Sequence, residues 1–345
     1  MKEKKISPTV IRQIFMLLLI FVIGGLIFKE MSPYLSGILG AITIYVLLRK
    51  WMAKLISKGW HPDLSAALLL IGSFVGILMP VAGIIFMLGN KIGEVAQNLE
   101  KIIDVIKERL DSWQTQVGYD LSSQMDANAV SNWLTENLQN FAGDTFDIMI
   151  SIGIMYFLLY YMLTNRRMLR ESLFEYIPIN DTNLKIIGDE SQKMVRSNAI
   201  GIPLVALVQG VVALIGFLIF KIENPLFWFV IVTIGSMIPF VGTLIGILPV
   251  FIITHATGNT FQAWGILIYG ILVVGSSDNL VRLFVLKKLD NVHPIITMIG
   301  VIVGVPLFGF IGLIFGPLLI SLFLIVVKIY KSEYGKNMIE GEEKL

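Results

Sequence analysis

The 345 residues are 55% hydrophobic and only 15% charged, with a formal charge of +2 and a mean hydropathy of +0.78. A soluble domain carries about 25% charged residues, so a soluble enzyme is excluded. The chain has no cysteine, which removes disulfides, thiolate catalysis and Cys-based zinc sites. Its three histidines, His61, His255 and His293, are too far apart in sequence to suggest a metal site. No cofactor is expected, and the net charge gives no reason to expect nucleic acid as a partner.

Uncharged runs predict membrane spans at Ile14–Phe28, Pro33–Leu48, Leu64–Gly89, Ile148–Asn165 and Ala199–Phe220. Two longer runs follow: Asn224–Ser277 holds 54 residues without a formal charge, and Pro294–Val327 holds 34. Both exceed the roughly 20 apolar residues that cross a bilayer. The first span follows Lys2, Lys4 and Lys5 but lacks a small-residue cleavage site, so it is not read as a signal peptide. Basic loops at Arg49–Lys58, Arg166–Arg170, Lys287–Lys288 and Lys328–Lys336 alternate with the acidic segment Lys91–Asp147. By the positive-inside rule, both termini are expected in the cytoplasm and the acidic segment outside.

Within that outer segment, Ile92, Val95, Leu99, Ile102, Ile106, Leu110 and Trp113 recur at helical spacing, as do Val130, Trp133, Leu134, Leu138 and Phe141. They predict an extramembrane helical hairpin. The expected organisation is therefore all-α and polytopic, with an even number of crossings. Residues 1–90 form N-terminal spans, 91–143 the outer segment, 144–170 one span and 171–198 a cytoplasmic interfacial segment. Residues 199–328 form a C-terminal transport core and 329–345 a tail. An interfacial helix is predicted to start after Asn180-Asp181.

The C-terminal core carries two similar units. One reads Ile238-Pro239-Phe240-Val241-Gly242, then Gly246 and Pro249; the other reads Val305-Pro306-Leu307-Phe308-Gly309, then Gly312, Gly316 and Pro317. Proline removes a backbone donor and glycine weakens a helix. Pro239 with Gly242 and Pro306 with Gly309 are therefore expected to break their helices. In hydrocarbon such breaks survive only against protein or a water-filled cavity, and paired breaks point to a transporter's binding site. The competing reading is close helix packing by glycine. Whether 225–255 and 294–312 cross fully or re-enter stays open, as does any inverted relation between them.

Between the two units lies Gly275-Ser276-Ser277-Asp278-Asn279-Leu280-Val281-Arg282. Asp278 stands about ten residues, or roughly 15 Å of helix, before Lys287, which places it near mid-membrane. A carboxylate there either pairs with Arg282 at i+4 or, with Asn279 and Ser277, lines a polar pathway. Gln209 in the fifth span reads more readily as an interhelical hydrogen bond than as a substrate contact. Ser236, Thr243 and Thr254 are weaker candidates near the first break. No nucleotide-binding, EF-hand or zinc-protease motif occurs in the sequence.

From Gly235 to Pro317 the order and spacing of these elements resembles the autoinducer-2 exporter family of bacterial membrane proteins, the PerM-type permeases. The resemblance rests on Ile238-Pro239-x-x-Gly242, Gly246 and Pro249, Asp278-Asn279 with Arg282, His293-Pro294, and Leu307-Phe308-Gly309-Phe310-Ile311-Gly312 with Gly316-Pro317. The family pattern has Pro where this chain carries Leu283. The resemblance implies a homo-oligomeric transporter with about eight transmembrane helices in the bacterial plasma membrane, with some members tied to signal export and others to sodium/proton antiport. Three functions are thus weighed: export of a small polar solute, sodium or lithium/proton exchange at Asp278, and a non-transporting scaffold in the lipid bilayer.

Overall fold

A chain this apolar must close its backbone hydrogen bonds within its own segments, and the computed structural model of the protein is helical throughout its described residues. These are 8–97, 145–176, 179–238, 242–277, 280–281 and 294–342. Among the described residues, six helical stretches are long and apolar enough to cross a membrane: Pro8–Ser57, Pro62–Met87, Asp147–Thr164, Asp181–Ile219, Thr260–Ser277 and Ile295–Lys331. The expected outer hairpin lies outside the described residues beyond Gln97.

Helix α1 (Pro8–Met31) passes through a 3-10 turn at Ser32–Tyr34 into α2 (Leu35–Ser57). It has no buried residue and does not fold back along α2. Helices α3 (Pro62–Ser73) and α4 (Met79–Gln97) are joined by a π turn at Phe74–Leu78. Next come α5 (Thr145–Thr164) and α6 (Arg166–Tyr176). Gly37 approaches Ser151 and Gly40 approaches Met155, so α2 and α5 run parallel at close range. Their shared core includes Ala41, Ile44, Ala66 and Leu159.

The Asn180 side chain caps α7 (Asp181–Ile219) by accepting from the Thr182 N–H at 3.0 Å. The predicted helix start is correct, but no break separates the polar segment from the apolar one. Both belong to one 39-residue helix, about 58 Å long. Val46 of α2 packs with Met194 and Val195 of α7.

Two helical hairpins complete the body. The first joins α8 (Pro225–Gly235) to α9 (Gly242–Ala256), and α10 (Thr260–Tyr269) continues through a π turn at Gly270–Val274 to Ser277. The second joins α11 (Pro294–Phe308) to α12 (Gly312–Glu342) through a 3-10 turn at Gly309–Ile311. Lys221 (φ 52°) and Asn224 (φ 51°) hold left-handed conformations in the turn that sends α8 back along α7.

The glycines explain both reversals. A methyl group on Gly235 would overlap the Gly242 carbonyl, and one on Gly246 would overlap Val232. In the second hairpin a methyl on Gly300 would overlap Gly316 and Pro317, and one on Gly304 would overlap Gly312 and Gly316. The arms are antiparallel, with backbones in contact. Glycine achieves this in lipid because van der Waals packing, not apolar transfer, holds helices together there.

The hairpins enter from opposite ends. Arg49 and Arg166 line one cavity, and Glu190 of α7 shares another with Lys328 of α12, which marks a basic end. Lys221, Glu223, Thr257 and Asn259 gather at the other end. The first hairpin starts at that second end and the second hairpin at the basic end. Their tips approach each other along α7.

Candidate functional site: the junction of two hairpin tips

Buried positions along α7 fall at Asn198, Ile202, Val205, Gln209 and Ala213, a stripe with steps of three and four that faces the protein interior. Ile202 lies on this stripe one turn beyond Asn198. Val301 and Leu313 from the second hairpin are buried with it, and Met237, Ile238 and Val305 pack against them. The residues that precede the two prolines, Ile238 and Val305, therefore share one cluster although 67 positions apart in sequence (305 − 238).

The first tip is closed by its own backbone. Ser236 N–H donates to the Val232 carbonyl at 2.8 Å and Ile238 N–H to Gly235 at 2.9 Å; Gly242 N–H returns to Ile238 at 3.1 Å. Gly242 is buried and opens α9. Pro239 lies outside the described residues. The expected break is present as a reversal rather than as a kink in a through-going helix.

The second tip corrects the expectation for Pro306. That residue sits inside α11, exposed, and the helix continues to Phe308. The chain turns at Gly309, whose φ of 62° suits glycine and strains other residues. Gly312 N–H then donates back to the carbonyls of Gly309 and Phe310. Proline at a penultimate helical turn is tolerable on an exposed face, and the conformational reversal falls to glycine.

Polar groups surround the apolar contact. Asn198 donates from Nδ2 to the Ile314 carbonyl at 3.0 Å, tying α7 to α12. One residue away, Pro317 deprives the Leu313 carbonyl of its helical donor, and Pro203 and Pro306 do the same to Ala199 and Ile302. Gln209 is 1% exposed and Ser236 3% exposed. Among the described residues Gln209 Nε2, Ser236 Oγ and Ser197 Oγ have no hydrogen-bond partner. The interhelical bond expected of Gln209 is therefore not made by its amide nitrogen. An unpaired buried donor carries a penalty of about 1–3 kcal/mol, so such a group calls for an explanation beyond packing.

Of the other expected site residues, Ser277 donates from Oγ to the Val274 carbonyl at 2.6 Å and is half-buried. Val274 itself packs in the core with Ala213 and Phe217. Asp278, Asn279 and Arg282 lie outside the described residues. Thr254 is buried at the far end of α9, away from the tip. Asn198 and the glycines Gly300 and Gly304 were not singled out in the sequence. Asn198 carries a legible signal, since it stands eleven residues before Gln209 on the same helical stripe. Gly300-x-x-x-Gly304 and Gly312-x-x-x-Gly316 carry another, as paired small-residue motifs.

The arrangement is that of a multi-pass membrane protein with an uncharged, partly polar junction in its interior. Residues 15–332 match the model of the AI-2E family transporter. A protein of Mycobacterium tuberculosis is 24% identical over 96% of this chain and 90% of its own length. One from Aquifex aeolicus is 22% identical over 74% of each, and YdiK of Escherichia coli is 31% identical over 37% of this chain and 34% of its own. All three bear the printed name "Putative transport protein". With its apolar helices and a family match across nearly its whole length, this chain belongs to the AI-2E transporter family.

Proposed function

We propose that the protein is a secondary transporter or facilitator that exports a small polar solute across the bacterial plasma membrane, through the junction where the two hairpin tips meet. The carrying observation is the opposed entry of the hairpins onto Ile202. Helix α8 has 11 residues and α11 has 15, about 17 and 23 Å of helix, less than a hydrocarbon core of roughly 30 Å. Each hairpin then reaches inward from its own side and stops within the bilayer. Such a pair forms two half-barriers in series, the geometry from which alternating access is built. Gln209, Ser236 and the carbonyls released by proline supply polar groups at the barrier.

The basic end is cytoplasmic in this reading, since Arg49, Arg166 and Lys328 all gather there. The bacterial relatives support the plasma membrane as its location. No nucleotide-hydrolysis motif is present in the sequence, which favours a gradient as the driving force.

The test uses the chain's lack of cysteine. Met237→Cys with Val305→Cys places one thiol on each tip. A short bifunctional thiol reagent should join them and stop solute flux in proteoliposomes, and a reducible linker should restore flux on cleavage. Undiminished flux through the joined protein removes the tip junction as the pathway.

A further inference from the structure

At the basic end, α2, α5 and the start of α6 enclose a cavity of about 420 Å³. Three arginines line it, Arg49, Arg166 and Arg167, and its remaining walls include Tyr45, Met52 and Leu163. We propose that this cavity binds the phosphate headgroup of an anionic phospholipid, with the acyl chains lying along the apolar wall formed by α2 and α5.

The charge pattern is unfavourable when the cavity is empty. Arg49 is half-buried and feels the repulsion of both Arg166 and Arg196, against attraction from Asp189. Arg167 is paired with Glu171 at 2.9 Å on the exposed face of α6. Among the described residues neither Arg49 nor Arg166 has a carboxylate within ion-pair distance. Like-charged guanidinium groups from two separate helices are held together by packing beneath them, where Leu163 and Met52 are buried in one core. A phosphate relieves the repulsion and matches the forked donors of arginine better than a single carboxylate does.

A lipid, rather than a free anion, is indicated by where the cavity sits. The apolar stretch of α5 ends at Thr164, two residues before Arg166, and the apolar run of α2 ends at Leu48, directly before Arg49. Trp51 and Trp60 are 60% and 48% exposed at the same end, and the Lys54 ammonium stands 5.8 Å from the Trp51 ring. Exposed tryptophan beside lysine is the signature of the bilayer interface, where headgroups lie. Basic pockets between helices on the cytoplasmic side suit anionic headgroups. The inference rests on the chain being a membrane protein and not on what it transports.

The test is a binding measurement on the purified full chain in neutral detergent, read as a shift of thermal unfolding. Phosphatidylglycerol is compared with phosphatidylcholine of the same acyl chains, and inorganic phosphate is titrated separately. Phosphatidylglycerol should stabilise the protein at concentrations about tenfold lower than phosphatidylcholine. Arg49→Gln with Arg166→Gln should remove that preference, whereas Lys50→Gln with Lys54→Gln, equal in charge on the same helix but outside the cavity, should keep it. Equal effects of the two lipids on the unaltered protein overturn the proposal without any variant. Equal loss in both double variants also overturns it, by showing general surface attraction. Stabilisation by inorganic phosphate, lost in the arginine double variant, with no preference between lipids, assigns the cavity to a free anion instead. Arg49→Lys with Arg166→Lys keeps the charge and should retain part of the preference if the glutamine pair fails to fold; no preference in the lysine pair counts against arginine geometry.

Discussion

The two hairpins solve the same problem by different means. The α8–α9 pair is embedded: Val232, Ile247 and Val250 are buried with Ala213, Phe217, Ile266 and Val274 from α7, α10 and the π turn. Its glycines bring backbones closest at the tip, at Gly235 and Gly242; at Gly246 the nearest atom is a Val232 side-chain methyl, with the Val232 backbone just behind it. The α11–α12 pair is zipped instead, backbone against backbone, at Gly300–Gly316 and again at Gly304–Gly312. Among the described residues, helix α11 packs extensively only on α12 and on their shared turn. Both arms of the first hairpin are thus held by their surroundings, whereas in the second α12 alone packs broadly on the body, through Phe315 and Leu318 against Val46, Met194 and Val195, and α11 is held mainly through α12.

If that contrast holds, a core truncation should hurt the first hairpin most. Phe217 is fully buried in its cluster, and Phe217→Ala should destabilise the protein by about 3–5 kcal/mol, read from denaturant or thermal unfolding in detergent. A smaller loss sharpens the comparison differently, by showing that glycine contacts carry the first hairpin too. Overpacking should affect the second hairpin next. Gly304→Leu forces the arms apart and should destabilise by about 1–3 kcal/mol, while Val303→Leu, on an exposed position beside it, should be near neutral. Equal behaviour of the two variants removes the zipped description. The smallest stability effect is expected at the junction. Gln209→Leu removes an unpaired buried amide and should leave stability unchanged or slightly raised, yet lower solute flux severalfold in proteoliposomes. A variant that is both stable and fully active returns Gln209 to a packing role.

Much of this organisation was legible in the sequence, and the reasons for the rest are physical. Uncharged runs announce helices in lipid because nothing else satisfies the backbone there, and the Asn180 cap is a local signal read directly. The Gly/Pro units were legible as interruptions. Reversal was not, because a kink and a hairpin turn use the same residues and differ only in whether the next apolar segment packs on the last. Pro306 illustrates the limit: its ring is accommodated in α11, and the left-handed residue at Gly309 makes the turn. Continuity was also hidden. The change from polar to apolar sequence near Asn198 marks a change of surroundings, not an end of hydrogen bonding. Burial of Gln209 without a partner for its amide nitrogen depends on tertiary packing, which periodicity alone does not encode.

The continuity of α7 has a mechanical consequence. Its charged half, Asp181–Arg196, and its apolar half share one hydrogen-bonded rod, weakened at Pro203, the neighbour of Ile202. That makes Pro203 a fulcrum placed at the level where the tips meet. A sideways load on the charged arm, which borders a cavity shared with α12 from Asn183 to Glu190, becomes a torque at the junction with no loop between them to absorb it.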